Sequence, residues 1–183
     1  MSARFPDKRT ARCSCGECEM ALRGPPIVTV ICYCTSCQAA GERLENLPGG
    51  HPVLDADGGT PFVLQRKDRV TFTRGTDRLR EFRLKPDSPT RRVVATCCNS
   101  PMFVEFSGGH WLSIYRDRLD AAERPAVEMR TMTADRRAGV EFTDSLPSYR
   151  KHSGRFMWRL LVAWAAMGFR APKLDHVKGT IDA

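Results

Sequence analysis

At 183 residues, with 42% hydrophobic and 27% charged side chains, the chain has the size and composition of one folded domain. Such a chain buries roughly 70% of its unfolded surface. This composition excludes the disordered, fibrous and disulfide-dependent miniature classes. The balance of 29 basic and 21 acidic residues gives a formal charge of +8. That points to anionic partners such as nucleic acid, a membrane surface or a small acid like a carboxylate-bearing thiol.

The N-terminal stretch MSARFPDKRTAR lacks the apolar segment of a secretory signal, so the expected compartment is the cytoplasm. Residues 1–11 read as a tail. Short runs rich in β-branched and aromatic residues then predict strands over 27–32, 61–65, 69–73, 78–84, 91–96, 102–106 and 111–115. Gly, Pro, Asp and Ser clusters such as ADGG, TRGTD, KPDSP and SGGH separate many of them. Helices are expected over Gln38–Leu47 and near Asp117–Ala122. The fold class read from this pattern is mainly β, built of short antiparallel strands with a C-terminal helix. Residues 12–122 form the body, and residues 123–183 form an arm and that helix.

The basic cluster from Arg66 to Arg92 does not read as a nucleic-acid surface. In RLREFRL, residues 78–84, the arginines alternate with apolar residues, so Arg78, Arg80 and Arg83 read as the solvated side of a half-buried strand. Phe72 and Phe82 share that alternation instead of interleaving with cations on an exposed face. No nucleic acid is expected as a partner.

The run RFMWRLLVAWAAMGF, residues 155–169, is too short and too charged to span a bilayer. It predicts one helix ended by Gly168 and Pro172. Apolar residues cover most of its circumference. It therefore packs into the body, a second copy of the chain or a membrane surface; packing into the core or into a homo-oligomer through this helix is the expectation preferred over membrane contact.

The chemistry resides in eight cysteines. Cys13, Cys15 and Cys18 form C-x-C-x-x-C, and Cys32, Cys34 and Cys37 repeat it; Cys97 and Cys98 stand far along the chain. In a reducing compartment these are metal ligands or reactive thiols rather than disulfides. Zinc asks for four ligands in a tetrahedron. One C-x-C pair can supply two corners, and a third cysteine can fold back over a turn permitted by Gly16, or by Thr35 and Ser36. Two assignments fit. Each triplet takes one of the distal pair, giving two closed sites; or Cys13 and Cys15 join Cys97 and Cys98 while Cys32, Cys34 and Cys37 hold a metal with an open position. An open position is the mark of catalysis.

Taken in order, Cys13-x-Cys15-Gly16, then Cys32-x-Cys34-x-x-Cys37, then Cys98 followed by Asn99-Ser100-Pro101, the motifs resemble the glutathione-dependent formaldehyde-activating enzyme family, the CENP-V/GFA domain. The resemblance spans roughly residues 12–118. It implies a β-tent fold with two zinc ions, one structural and one at the second triplet, and a carbon–sulfur lyase activity. The substrate implied is a small-molecule thiol of the glutathione kind or its aldehyde adduct. It makes Cys32, Cys34 and Cys37 the catalytic metal ligands. The family's C-x-x-C-G-[ST]-P differs here, since Ala95 replaces its first cysteine. Cys97 beside Cys98 is the favoured replacement, with the chain turning at Asn99, a residue that tolerates a left-handed backbone. Cys18 is the alternative. A non-catalytic zinc-stabilised binding module with closed sites is the competing reading of the whole chain. His51, His110, His152 and His176 lack a partner motif and read as bystanders. Asp55 and Asp57 read as a turn, and Tyr33 as a metal shield or core filler.

Overall fold

The structure, a computed structural model, describes residues 7–183; residues 1–6 of the expected tail lie outside the described residues. Ten strands and two helices follow in the order β1 (Lys8–Arg12), β2 (Glu19–Arg23), β3 (Val28–Cys32), α1 (Thr35–Glu45), β4 (Thr60–Arg66) and β5 (Val70–Arg74). Then come β6 (Leu79–Phe82), β7 (Thr90–Ala95), β8 (Ser100–Phe106), β9 (Trp111–Tyr115), β10 (Met129–Thr131) and α2 (Gly154–Ala165). The fold is mainly β. Strands β1, β2 and β5 form a small antiparallel sheet. The other seven form a sheet in the order β10-β3-β4-β9-β8-β7-β6, in which the β10–β3 pair alone is parallel.

Period-two alternation divides the core between the two faces of the larger sheet. Val63 on β4, Val93 on β7 and Ile114 on β9 point one way and meet Met20 and Leu22 of the small sheet. Their neighbours Phe62, Leu64 and Val94 point the other way, against Ala40 and Leu44 of α1 and Phe156 and Leu160 of α2. The large sheet is thus covered by a sheet on one side and by helices on the other.

The seven strands expected from composition all form, within a residue or two except for β6, which stops at Phe82. Three others do not follow from the pattern. β1 begins inside the residues read as a tail and carries Arg9 at full burial, donating to the Gly24 carbonyl at 2.7 Å and to Gln65 Oε1 at 3.1 Å. β2, EMALR, has the composition of a helix. β10 lies in the arm and has only three residues, yet it completes the main sheet beside β3. The helix expected over 117–122 is a correction: two single 3₁₀ turns, Arg116–Arg118 and Ala121–Glu123, stand there. Within the basic cluster Arg83 and Arg91 both grip Glu81, and Arg91 also holds Glu105, so much of that charge is neutralised internally. Arg92 is buried outright.

Phe103 and Phe106 provide a test on one strand. Phe103 is fully buried against Phe72, with ring centroids 5.8 Å apart, whereas Phe106 is 48% exposed. Phe103→Ala should lower unfolding free energy by about 3–5 kcal/mol, and Phe106→Ala by less than about 0.5 kcal/mol. Urea denaturation followed by circular dichroism measures both.

Candidate metal centre

The turn between β1 and β2 is built around sulfur. The Gly16 N–H donates to the Cys13 carbonyl at 3.0 Å, with Gly16 in the left-handed region at φ 79°, as its place in the tight turn requires. The Cys18 N–H then donates to Cys13 Sγ at 3.2 Å. Across the sheet interface, the β7–β8 hairpin turns over Thr96–Asn99, with Asn99 at φ 50°. Because Cys97 and Cys98 sit in this turn and not on a strand, their side chains need not point oppositely.

The sulfurs of Cys13, Cys15, Cys97 and Cys98 all lie within 4.8 Å of one another. Cys13 Sγ is 3.5 Å from Cys15 Sγ and 3.7 Å from Cys97 Sγ. A tetrahedron with metal–sulfur bonds of about 2.3 Å has edges of about 3.8 Å, so the spacing fits a four-thiolate ion. Cys18 stands aside from this set. Its thiol donates to the Gly75 carbonyl at 3.1 Å and burial pushes it up to about 11, so it remains a neutral thiol 3.8 Å from Cys97. Gly75, at φ 71°, cannot be replaced without cost, since an added Cβ would clash with the Glu17 carbonyl and meet Cys18 Sγ at 2.8 Å.

Around the four thiols lies a shell that sequence reasoning missed. Ser100 Oγ accepts the Ser14 N–H at 3.0 Å and sits 3.1 Å from Cys98 Sγ, and Arg118 donates to Ser14 Oγ at 2.9 Å. The signal was present in Ser14, between Cys13 and Cys15, and in Ser100, two residues after Cys98. Burial works against ionisation of Cys98, but the Ser100 hydroxyl, the Cys15 backbone and the neighbouring thiols bring it down to about 6. Cys97 moves the opposite way, raised first by burial and then by Cys15 and Cys13.

The second cluster gathers Cys32, Cys34 and Cys37, again within 4.8 Å. Among the described residues no fourth Cys, His, Asp or Glu completes it. Cys32 ends β3, Cys34 is the N-cap of α1, and Cys37 lies in its first turn, with its N–H donating to the Cys34 carbonyl at 3.0 Å. Strand alternation puts Cys32 and Cys34 on one side and Tyr33 on the other. Tyr33 is fully buried and donates to Asp57 Oδ2 at 2.6 Å, so it fills core. Hydrogen bonds from Cys32 and Cys37 hold the Cys34 thiol far below its ordinary range; Ser36 and the helix N-terminus favour the same charge. Its bond with Cys34 raises Cys32 to about 12, and Cys37 rises too, first through its bond with Cys32. Behind the turn, buried Arg92 donates to the Ser36 carbonyl at 2.8 Å, which fixes the loop carrying the three sulfurs.

The histidines hold neither cluster. His110 stacks on Trp164, His152 on Phe156, and His176 packs edge-on against Phe72. Asp55 and Asp57 shape the turn before β4, where the Gly58 N–H donates to the Asp55 carbonyl at 2.8 Å.

In reduced, metal-free protein near pH 6, the depressed Cys34 thiol is ionised while exposed Cys15, whose thiol is raised, is not. Limited iodoacetamide should therefore label Cys34 before Cys15, and the order should fade above pH 9, where ordinary thiols ionise as well. Peptide mass spectrometry reads the order.

A crystal structure of a Rhodobacter sphaeroides protein is similar to this chain, with a TM-score of 0.45 and 12% identity over 76% of this chain and 98% of that one. No curated protein matches. The model of a family of unknown function, DUF6151, matches residues 7–124, a stretch holding both cysteine clusters. The chain belongs to the DUF6151 family.

Proposed function

We propose that the protein binds two zinc ions and is a carbon–sulfur lyase-type enzyme acting on adducts of an aldehyde with a glutathione-like thiol. The observation that carries this reading is the inequality of the clusters: one gathers four thiols, the other three with no fourth donor among the described residues. All-sulfur donor sets at tetrahedral spacing suit zinc. Cys13, Cys15, Cys97 and Cys98 would hold the structural ion, and Cys32, Cys34 and Cys37 the other. Zinc bound there would supply a Lewis acid for an outside sulfur or oxygen. The resemblance of the three ordered motifs to the formaldehyde-activating family supports the same substrate class.

The reaction needs no oxidant. The thiol sulfur bonds to the carbonyl carbon, the C=O π pair moves to oxygen, and the proton lost by sulfur ends on that oxygen; the reverse breaks the same C–S bond. The protein's own part is positional. Cys34 caps the start of α1, Arg92 fixes the Ser36 carbonyl, and Gln38 donates to the Tyr33 and Asp135 carbonyls at 2.6 and 2.8 Å. The triplet is thereby clamped between β3 and the arm.

Native mass spectrometry should find two zinc ions per chain. Cys34→Ser should lose one ion and lower exchange between isotopically labelled formaldehyde and its glutathione adduct by on the order of 100-fold or more, with the fold retained. Cys15→Ser should unfold the chain, since a structural zinc contributes on the order of 10 kcal/mol. Exchange no faster than the uncatalysed rate in protein carrying both ions would overturn the enzyme reading and leave a zinc-stabilised binding module.

A further inference from the structure

α2 presents two apolar faces, and the fold uses only one. Phe156, Leu160, Ala163 and Met167 are buried against the body. On the opposite side Met157, Trp158, Leu161 and Val162 are 53%, 63%, 45% and 49% exposed, spaced one helical turn apart so that they form a continuous outward stripe. Phe169, just beyond the helix and 60% exposed, packs edge-on against Trp164, itself 37% exposed. A groove of about 300 Å³ continues the stripe between α2 and the Pro25–Pro26–Ile27 turn. No helix among the described residues is long and apolar enough to cross a membrane.

Charge decides what covers this face. Residues 145–174 contain Arg150, Lys151, Arg155, Arg159, Arg170 and Lys173 and not one Asp or Glu. Arg159 is paired with Glu128. The other five are exposed, and among the described residues none of them is in an ion pair. A second copy docking through the same face would set these cations against their own counterparts with no carboxylate in the segment to pair them. The homo-oligomer expected from sequence alone meets that repulsion. An anionic bilayer has the opposite requirement: apolar and indole side chains entering the headgroup boundary, with Lys and Arg around them facing acidic lipid.

We propose that the outward face of α2 is a docking surface for anionic lipid membranes, with Trp158 and Leu161 inserting among the headgroups and Lys151, Arg155 and Arg170 contacting lipid phosphates and carboxylates. The helix lies in the interface plane, and α2 keeps its inner contacts while bound. This assignment is independent of the zinc reading.

The test is co-sedimentation of the full zinc-loaded chain with phosphatidylcholine vesicles, with and without phosphatidylserine, alongside Trp fluorescence. Expected are binding at least ~10-fold tighter to the anionic vesicles, a blue shift of emission, and release at ~1 M salt, where screening shortens the Debye length to about 3 Å. Trp158→Ser with Leu161→Ser should weaken binding to both vesicle types. Lys151→Glu with Arg155→Glu should weaken binding to the anionic vesicles alone. All four positions are exposed, so unchanged circular dichroism and zinc content confirm the fold. Equal binding to neutral vesicles, or undiminished binding by either double variant, overturns the proposal. So does the absence of vesicle binding together with a dimer in sedimentation equilibrium that Trp158→Ser with Leu161→Ser dissociates.

Discussion

Seven sulfur atoms are packed into two groups, within each of which they lie no more than 4.8 Å apart, and much of the surrounding backbone is arranged to hold them there. Left to protons alone, crowded thiols pull against one another: the bonds from Cys32 and Cys37 draw Cys34 below the ordinary thiol range, while Cys32 and Cys37 are pushed up. A divalent cation removes the conflict by accepting several thiolates at once. Strand register matters for the same reason. β3 pairs with β4 so that Cys32 faces Thr60, and a slip by one residue would turn its sulfur to the opposite side of the sheet.

The two clusters place different demands on the fold. The four-thiol group joins the β1–β2 turn to the β7–β8 turn, with 84 positions between Cys13 and Cys97. A metal ion held there would fasten the small sheet to the large one at the rim of the core, where a long loop closure makes a cross-link most effective. The three-thiol group spans only six residues, from the end of β3 into the first turn of α1. Its backbone is already fixed by the main sheet, by the helix and by the Tyr33 and Gln38 anchors. A site whose scaffold stands without it can leave a coordination position unfilled. One that fastens two sheets gains most from a full set.

How much of this was legible in the sequence follows from how local each signal is. Seven strands announced themselves through alternation and turn residues, and the distal pair of cysteines through adjacency. Asn99 carried its own signal, being a residue that tolerates the left-handed backbone the turn adopts. β1 was hidden because one of its two buried residues is an arginine, and only the tertiary fold supplies the Gly24 and Gln65 oxygens that let Arg9 be buried. β2 was hidden by helical propensity, and β10 by having only three residues that pair with a distant parallel strand. The aside position of Cys18 was beyond reach for the same reason. Its triplet looks identical to the second, and what separates the two is the Gly75 carbonyl, just past the end of the neighbouring strand β5, that accepts its thiol.

The terminal helix shows the complementary limit. Apolar residues all around a helix tell only that it is covered on more than one side, not by what. Once the fold assigns Phe156, Leu160, Ala163 and Met167 to the core, the remaining stripe becomes a separate physical problem with its own boundary conditions. The unpaired Lys and Arg in and flanking the helix then select among the surfaces able to cover it, because apolar burial is indifferent to partner while like charges are not. A second chain answers the apolar stripe but adds repulsion. An acidic lipid surface answers both.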